Sequence, residues 1–146
     1  MELQKNAKCV IIVAEGLPLG PTANIASVLA TTLGACVKSL IGPDVSDVSG
    51  TIHPGFTTLP LPILMASPDA IKQLRQQTVS TPDLFVADFT ETAQHSRTYT
   101  DYIEELSTHA TGDLTYLGIL LYGPKKMINS LAGNFRLLRE ASSTPA

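Results

Sequence analysis

The stretch "LYGPKKMINSLAGNFRLL", residues 121–138, is the most informative segment for predicting the fold of this chain. An apolar segment leads into Gly123 and Pro124, an amphipathic segment follows, and Gly133 precedes a second apolar and basic segment. Proline suits the first turn of a helix, and glycine suits the position just after its last residue. The pattern therefore predicts a strand that ends near residue 123, followed by a helix that begins at Pro124 and ends before Gly133.

Strands and helices alternate along the rest of the chain. The first apolar run, "KCVIIVAE", is apolar at nearly every position, which is typical of a strand covered on both faces. Strands are predicted at residues 8–15, 36–42, 61–66, 83–89 and 114–123, and further helices at residues 22–35, 67–77 and 98–109. This alternation predicts a three-layer α/β/α arrangement with a mixed, mostly parallel sheet of about four core strands. Residues 1–146 are predicted to form a single α/β domain whose tail frays from about residue 140.

The composition restricts the function. With 44% apolar and 16% charged residues, the chain can form a core, and its net charge of −3 does not favour binding to nucleic acid. The two cysteines lack a Cys-x-x-Cys spacing and are interpreted as small buried residues in a reducing compartment. A polar start and short apolar runs predict neither a signal peptide nor a membrane span. We therefore expect a cytoplasmic protein with no membrane partner.

The polar segment "GPDVSDVSGTIHPG", residues 42–55, predicts an irregular loop with a small hairpin. Asp44, Asp47 and His53 share this loop. Their oxygen and nitrogen atoms could hold a metal, but the same residues are ordinary turn formers, and no metal is assigned. His53 is a candidate catalytic residue because imidazole titrates near neutral pH, and Asp44 is a candidate ligand-binding residue. No nucleotide-binding or other cofactor motif is present, so no cofactor is expected.

The closing stretch resembles the C-terminal signature of the archaeal and eukaryotic, or class-two, peptidyl-tRNA hydrolases. Further motifs along the whole chain are "KCVIIV", "LPLGPTAN", "IGPDVSD", "HPGFTTLPLPIL", "VADFT" and "YLGILLYGP". Together they resemble, more closely still, an uncharacterised family known as domain of unknown function 2000. It implies the class-two hydrolase fold, with a mixed four-stranded sheet between helices and often a dimer. It implies no established activity.

The hydrolases also carry a lysine and a glutamine one turn apart on the first helix. In this chain, the lysine position falls on Ala23 or Asn24, and the glutamine position falls on Ser27 or Val28. No choice of alignment restores the cation. We therefore expect negligible peptidyl-tRNA hydrolase activity.

The later part of the hydrolase site matches better. Asp88 stands at the expected aspartate, and Thr92 lies four residues on, so both are candidate catalytic residues. Asp88 could polarise a water, and Asn24 or backbone N–H groups could stabilise the oxyanion that forms. The alternative is that Asp88 only caps a turn and Asn24 only caps its helix. Gly20 and Asn24 are candidate ligand-binding residues, because the N-terminus of a helix attracts anions. Asn24, Asp88 and His53 are expected to border one cleft.

Three functions stay open from the sequence. The first is binding of a small ligand, or an unassigned hydrolysis, at an altered hydrolase-like site. The second is an active peptidyl-tRNA hydrolase, which would be favoured if Lys125 or Lys126 reached Asp88. The third is a dimeric interaction module, which an exposed aliphatic face would favour. The expected partners are an unknown small molecule and a second copy of the chain, and tRNA is not expected.

Overall fold

The computed structural model describes residues 1–140, so the tail expected to fray lies almost wholly outside the described residues. Within residues 1–140 the chain forms seven strands, five α-helices and one short 3-10 helix at Thr111–Asp113. The strands are β1 Ala7–Ala14, β2 Val45–Ser46, β3 Ile52–His53, β4 Ile63–Ala66, β5 Phe85–Thr90, β6 Tyr116–Pro124 and β7 Arg136–Leu137. The helices are α1 Leu19–Cys36, α2 Pro68–Thr78, α3 Glu91–His95, α4 Tyr99–Ser107 and α5 Lys125–Ala132.

Five of the strands form one mixed sheet in the order β5-β6-β1-β4-β7. Only β1 and β4 are parallel; β1 with β6, β5 with β6, and β4 with β7 are antiparallel. The expectation of a mostly parallel sheet is therefore wrong. The reason is that β6 lies between β5 and β1 and runs against both. The apolar β1 is central and pairs with β6 and β4, whereas β5 lies at one edge of the sheet and pairs with β6.

Helix α1 covers one face of the sheet. Gly118 of β6 faces this helix, since a Cβ atom built on it would lie 2.4 Å from Ile25 Cγ2 and 3.2 Å from Leu29 Cδ1. Ile25 and Leu29 are fully buried. The absence of a side chain at Gly118 thus lets α1 lie close to the sheet.

Helices α2 and α5 cover the opposite face. Asp88 of β5 pairs with Ile119, the residue after Gly118, and successive side chains of a strand point to opposite faces. Arg75 of α2 contacts Asp88, which places α2 on this second face. Lys8 of β1 pairs with Gly123, and Gly123 lies on the same face as Ile119 because the two are an even number of residues apart. The Lys8 ammonium donates to Asn129 of α5 at 2.6 Å, so α5 lies on this face too. Helices on both faces satisfy the three-layer expectation, with a core built from aliphatic side chains of β1 and β6.

Local signals placed some helix ends correctly and others not. Ser67 caps α2 at the start of the helix predicted for residues 67–77, accepting a hydrogen bond from the backbone N–H of Ala70 at 3.1 Å, and Pro68 follows it. Helix α1 begins at Leu19 rather than at Thr22. The Thr22 hydroxyl is buried inside the helix and donates to the Pro18 carbonyl at 2.9 Å, so it does not act as the cap.

Residues 36–42 do not form the predicted strand. Cys36 is the last residue of α1, and the segment that follows makes only isolated bridges to other parts of the chain. Val37 and Leu40 are nevertheless buried in the core, which explains their apolar character without a strand. The short elements α3 and β7 were not predicted.

Candidate functional site

A groove of about 800 Å³ opens at the end of β1, on the face that carries α1. Its walls come from the carboxyl end of β1, the first turn of α1, Met65 of β4 and the segment that follows β7. The lining residues are Ala14, Glu15, Gly16, Leu17, Leu19, Thr22, Met65, Leu138, Arg139 and Glu140. A volume of this size is typical of small-molecule sites, which favour the carboxyl ends of strands in α/β proteins.

The groove combines an apolar surface with a polar rim. Leu19 contributes an apolar side chain although the residue is 73% exposed, while Glu15 and Glu140 supply negative charges and Arg139 supplies a positive charge. The turn before α1 depends on Gly16, whose φ of 80° is a backbone conformation that favours glycine. The groove can therefore accept an apolar molecule that carries one polar end.

The first turn of α1 adds hydrogen-bonding capacity to this groove. It has no acidic residue, and no side chain within residues 1–140 caps it. Gly20, a predicted ligand-binding residue, lies in this turn next to the lining residue Leu19. Asn24, the second predicted residue, is exposed on α1 one turn farther on and does not line the groove.

A second group of polar residues surrounds Asp88 on the opposite face. The Arg75 Nε–H donates to Asp88 Oδ2 at 2.8 Å, and the side chains of both residues are 25% exposed. Burial, followed by the negative charge of Asp88, raises the pKa of both Tyr102 and Tyr116. Asp88 is thus the acceptor of an ion pair in the middle of β5, flanked by two protonated phenols, rather than a free carboxylate at the end of a strand.

The expected cleft shared by Asn24, Asp88 and His53 is wrong. Asn24 belongs to α1, which covers one face of the sheet, whereas Asp88 points to the other face. A packed aliphatic sheet separates them. Their individual roles stay predictions, because this separation excludes only a common site.

The loop that carries Asp44 and His53 is a hairpin built around two carboxylates. Asp47 accepts hydrogen bonds from the backbone N–H groups of Ser49 at 2.9 Å and Thr51 at 3.1 Å. Its other oxygen lies 2.8 Å from His53 Nε2. The hydrogen bond with His53, and after it the one with Thr51, lowers the pKa of Asp47.

The polar and glycine residues of segment 42–55 have a structural role in the hairpin. Asp44 accepts a hydrogen bond from the Gly55 N–H at 3.0 Å. A Cβ at Gly55 would lie 1.8 Å from the carbonyl oxygen of Gly42, so the two ends of the hairpin pack too closely for a side chain. Asp44 and His53, predicted to bind a ligand and to act in catalysis, both hold the hairpin together.

Thr92, the remaining predicted catalytic residue, lies in a third place. It lines a polar groove of about 620 Å³ beside α3 and α4, together with carboxylates and His95. Asp88 is not among the residues that line this groove. The Asp88 and Thr92 pair expected from the hydrolases is therefore not assembled around one cavity.

The cation beside Asp88 is neither of the two lysines that the hydrolase alternative would require. Lys125 and Lys126 begin α5, six or more residues along β6 from Ile119, the partner of Asp88. The cation on Asp88 is Arg75 of α2. Sequence reasoning missed this residue because it lies on a helix with an ordinary polar face, and nothing in its spacing marks it. In residues 1–140, no three His, Cys, Asp or Glu side chains are grouped as a metal site requires.

The arrangement defines an α/β protein with a mixed, largely antiparallel sheet between helices and a groove beside the first helix. The chain belongs to the family described as protein of unknown function (DUF2000), whose model matches residues 7–139. The predicted family resemblance is thereby confirmed. No curated protein matches the chain.

A solved structure of a protein of unknown function from Agrobacterium tumefaciens strain C58 has a similar fold. The TM-score is 0.84 at 14% sequence identity, over 93% of this chain and the whole of the other. This likeness concerns the fold alone. It does not support the predicted likeness to peptidyl-tRNA hydrolases. Among the described helices, none has the length and apolar character that crossing a bilayer would need.

Proposed function

We propose that this protein binds a small amphipathic molecule in the groove beside the first turn of α1. The observation that carries the proposal is the groove itself, at about 800 Å³, with Leu19 exposed on its wall. An apolar body would contact Leu19, Leu138 and Met65, and a polar end would meet the uncapped first turn of α1 and Arg139. A cytoplasmic location belongs to this proposal, since both cysteines are free.

The groove can be tested with 1-anilinonaphthalene-8-sulfonate, a fluorescent probe with an apolar body and one anionic group. We expect saturable binding that shifts the backbone NMR signals of Gly16, Leu19 and Gly20. Leu19→Glu places a negative charge on the apolar wall, so the affinity of this variant for the probe should fall about tenfold or more. A tenfold loss corresponds to about 1.4 kcal/mol of binding free energy. Val79→Glu is the matched control, because Val79 is an exposed valine at the end of α2, on the other face. Equal binding by the two variants would contradict the proposal.

Peptidyl-tRNA hydrolysis has weaker support. The motif resemblance favours it, but the cation on Asp88 is held in an ion pair, and Thr92 lies in a separate groove. Oxyanion stabilisation requires donors preorganised next to the attacking water, and such donors are not grouped around both residues. Release of tRNA from a peptidyl-tRNA substrate, lost in Asp88→Asn but kept in Asp113→Asn, would reverse this preference.

A second candidate function is self-association through the hairpin that contains β2 and β3. Val45, Val48, Ile52 and Phe56 are all exposed there, and exposed apolar patches mark interaction sites. The two strands have only two residues each, and such a short ribbon is marginal alone. We propose that a second copy of the chain pairs with it, since closed homodimers use the same surface of both copies.

Light scattering after size-exclusion chromatography tests the dimer. We expect the unchanged chain to have the mass of a dimer and Val48→Glu to have the mass of a monomer. Val79→Glu again serves as the control and should remain dimeric. A monomeric mass for the unchanged chain at every concentration would exclude this second function.

A further inference from the structure

We propose that a groove between α5 and the sheet binds a short-chain aliphatic carboxylate, whose charge is held by Lys8. The groove has a volume of about 220 Å³ and is lined by residues of β1, β4, α5 and β7 and of the segments next to β4 and β7. It lies on the face of the sheet opposite α1, because Lys8 and α5 belong to that face. It is therefore separate from the groove of the proposed function.

The apolar floor of this groove follows from the register of the sheet. Val10 lies two residues after Lys8 on β1, and Ile12 lies two residues further on, so all three side chains point to one face. Ile12 pairs with Leu64 of β4, and Leu64 pairs with Leu137 of β7. Val10, Leu64 and Leu137 therefore line the groove from the same face of the sheet.

Helix α5 and the turn after it form the other wall. The helix packs against β1 and β6, which leaves the β4 and β7 side of this face open. Ile128 and Ala132 of α5 are buried, whereas Leu137 is 66% exposed although it is apolar. A ligand with an apolar chain would cover Leu137 and remove apolar surface from water.

Lys8 supplies the charge of the groove. Among the described residues, it is the one charged side chain that lines this groove. Its ammonium donates to Asn129 Oδ1 at 2.6 Å, and this bond joins β1 to α5 and fixes the position of the charge. Lys8 belongs to none of the ion pairs found within residues 1–140, so no carboxylate of that part of the chain pairs with it. The carboxylate of a ligand can take that place.

The charges around the groove have one sign. No aspartate or glutamate occurs in the three segments that build it, residues 7–14, 62–66 and 125–137. Lys125 and Lys126 precede Asn129 by four and three residues, so they are its neighbours on the surface of α5. In a chain with a net charge of −3, this local excess of positive charge favours an anion.

The volume and the single lining cation set the size and charge of the ligand. A cavity of about 150 Å³ accommodates benzene, so about 220 Å³ suits a molecule of roughly six to nine non-hydrogen atoms. Hexanoate is of this size. One cation balances its one negative charge, whereas the second charge of a phosphate dianion would lie against apolar walls at a cost in free energy.

The test uses hexanoate as the probe, with hexanol, acetate and hexyl phosphate as comparisons. We expect hexanoate to shift the backbone NMR signals of Val10, Ala132 and Phe135, with saturation. Hexanol lacks the charge and acetate lacks the apolar chain, so each should bind about tenfold more weakly or worse. Tighter binding of hexyl phosphate would overturn the assignment of a carboxylate, and the absence of a saturable shift at these residues would overturn the site.

Variants separate this site from unspecific effects of charge. Lys8→Met keeps an unbranched side chain and removes the ammonium, and we expect it to weaken hexanoate about tenfold. Lys5→Met is the matched control, because Lys5 is exposed and does not line the groove. It should change the affinity less than twofold, and equal losses in both variants would contradict the proposal.

Two further variants test the walls and the independence of the site. Leu137→Glu places a negative charge at the groove on a residue exposed enough to tolerate it, and should also weaken hexanoate about tenfold. Full affinity in a folded Leu137→Glu variant would overturn the placement of the ligand. Leu19→Glu should leave the shifts at Ala132 and Phe135 unchanged, so failure of the proposed function does not affect this test.

Discussion

Replacing Gly118 by alanine tests how closely α1 lies on the sheet. The added methyl carbon would stand 2.4 Å from Ile25 Cγ2 and 3.2 Å from Leu29 Cδ1. Two carbon atoms in contact prefer about 3.5–4.0 Å, so the nearer contact is more than about 1 Å too short. The Ile25 methyl cannot easily rotate away, because β-branched residues in a helix have one strongly preferred rotamer.

The expected cost follows from this overlap. Inserting a methyl group into a well-packed core costs about 1–3 kcal/mol, since α1 must shift or a side chain must leave its rotamer. For a chain of this length, each kcal/mol lowers Tm by about 2–4 °C. We therefore expect Gly118→Ala to unfold roughly 2–12 °C below the unchanged protein.

Thermal and urea unfolding followed by circular dichroism provide the measurement, with Gly34→Ala as the matched control. Gly34 lies in α1 with nothing within 4 Å of a built Cβ, so alanine there should stabilise the helix by about 0.5–1 kcal/mol. Opposite signs for the same chemical change would confirm the close approach at Gly118. If Gly118→Ala proves as stable as Gly34→Ala, the packing of α1 described above is wrong.

The same substitution bears on the proposed function. The first turn of α1 forms a wall of the groove, so a displaced helix changes the shape of that groove. We expect Gly118→Ala to bind 1-anilinonaphthalene-8-sulfonate more weakly even at temperatures where it is fully folded. Unchanged affinity in a folded but destabilised variant would mean that the groove does not depend on the position of α1.

Three further predictions concern titratable groups. A double-mutant cycle on the free energy of unfolding, with Arg75→Gln and Asp88→Asn, should give a coupling energy of about 1–2 kcal/mol. This lies between the values for exposed and buried ion pairs, because both side chains are partly exposed. A coupling energy of zero would show that the pair does not form in solution. Burial raises the pKa of the Cys9 thiol to about 12, which lowers its thiolate fraction about a thousandfold. Because the thiolate is the reactive form, Ellman's reagent at pH 8 should modify only Cys36 in the folded protein. Burial raises the pKa of Tyr102 in the folded protein above its value in the unfolded chain. As the pH rises above about 10, the unfolded chain therefore loses this proton before the folded protein does, and the free energy of unfolding should fall. Tyr102→Phe should reduce that fall.

The local elements that could be predicted are those whose cause lies within a few residues. The run of buried side chains from Cys9 to Ala14 identifies a covered strand, because such a run cannot face water on either side. Ser67 followed by Pro68 identifies the start of α2 through hydrogen bonds that span three residues. The closing stretch likewise predicted β6 and α5, although Gly133 ends α5 without a left-handed conformation.

The first helix and the segment after it show where local signals fail. Thr22 has the chemistry of a cap, but the helix already begins at Leu19, with Pro18 in the cap position, since Pro21 is tolerated in its first turn. The apolar residues Val37 and Leu40 resemble a strand, yet they are buried by packing against the core rather than by pairing. In both places several structures satisfy the same sequence pattern, and only tertiary contacts choose among them.

The direction of the strands and the composition of the sites are likewise decided only in three dimensions. Nothing local requires β6 to pass between β5 and β1, but that insertion makes the sheet largely antiparallel. It also sets the face on which Asp88 points, and so brings it to Arg75 rather than to Asn24. The sequence by itself determined most of the elements, the core and the family, because these depend on neighbouring residues and on shared motifs. The tertiary structure alone decided which polar side chains meet, because a shift of one residue in register moves a side chain to the other face of the sheet.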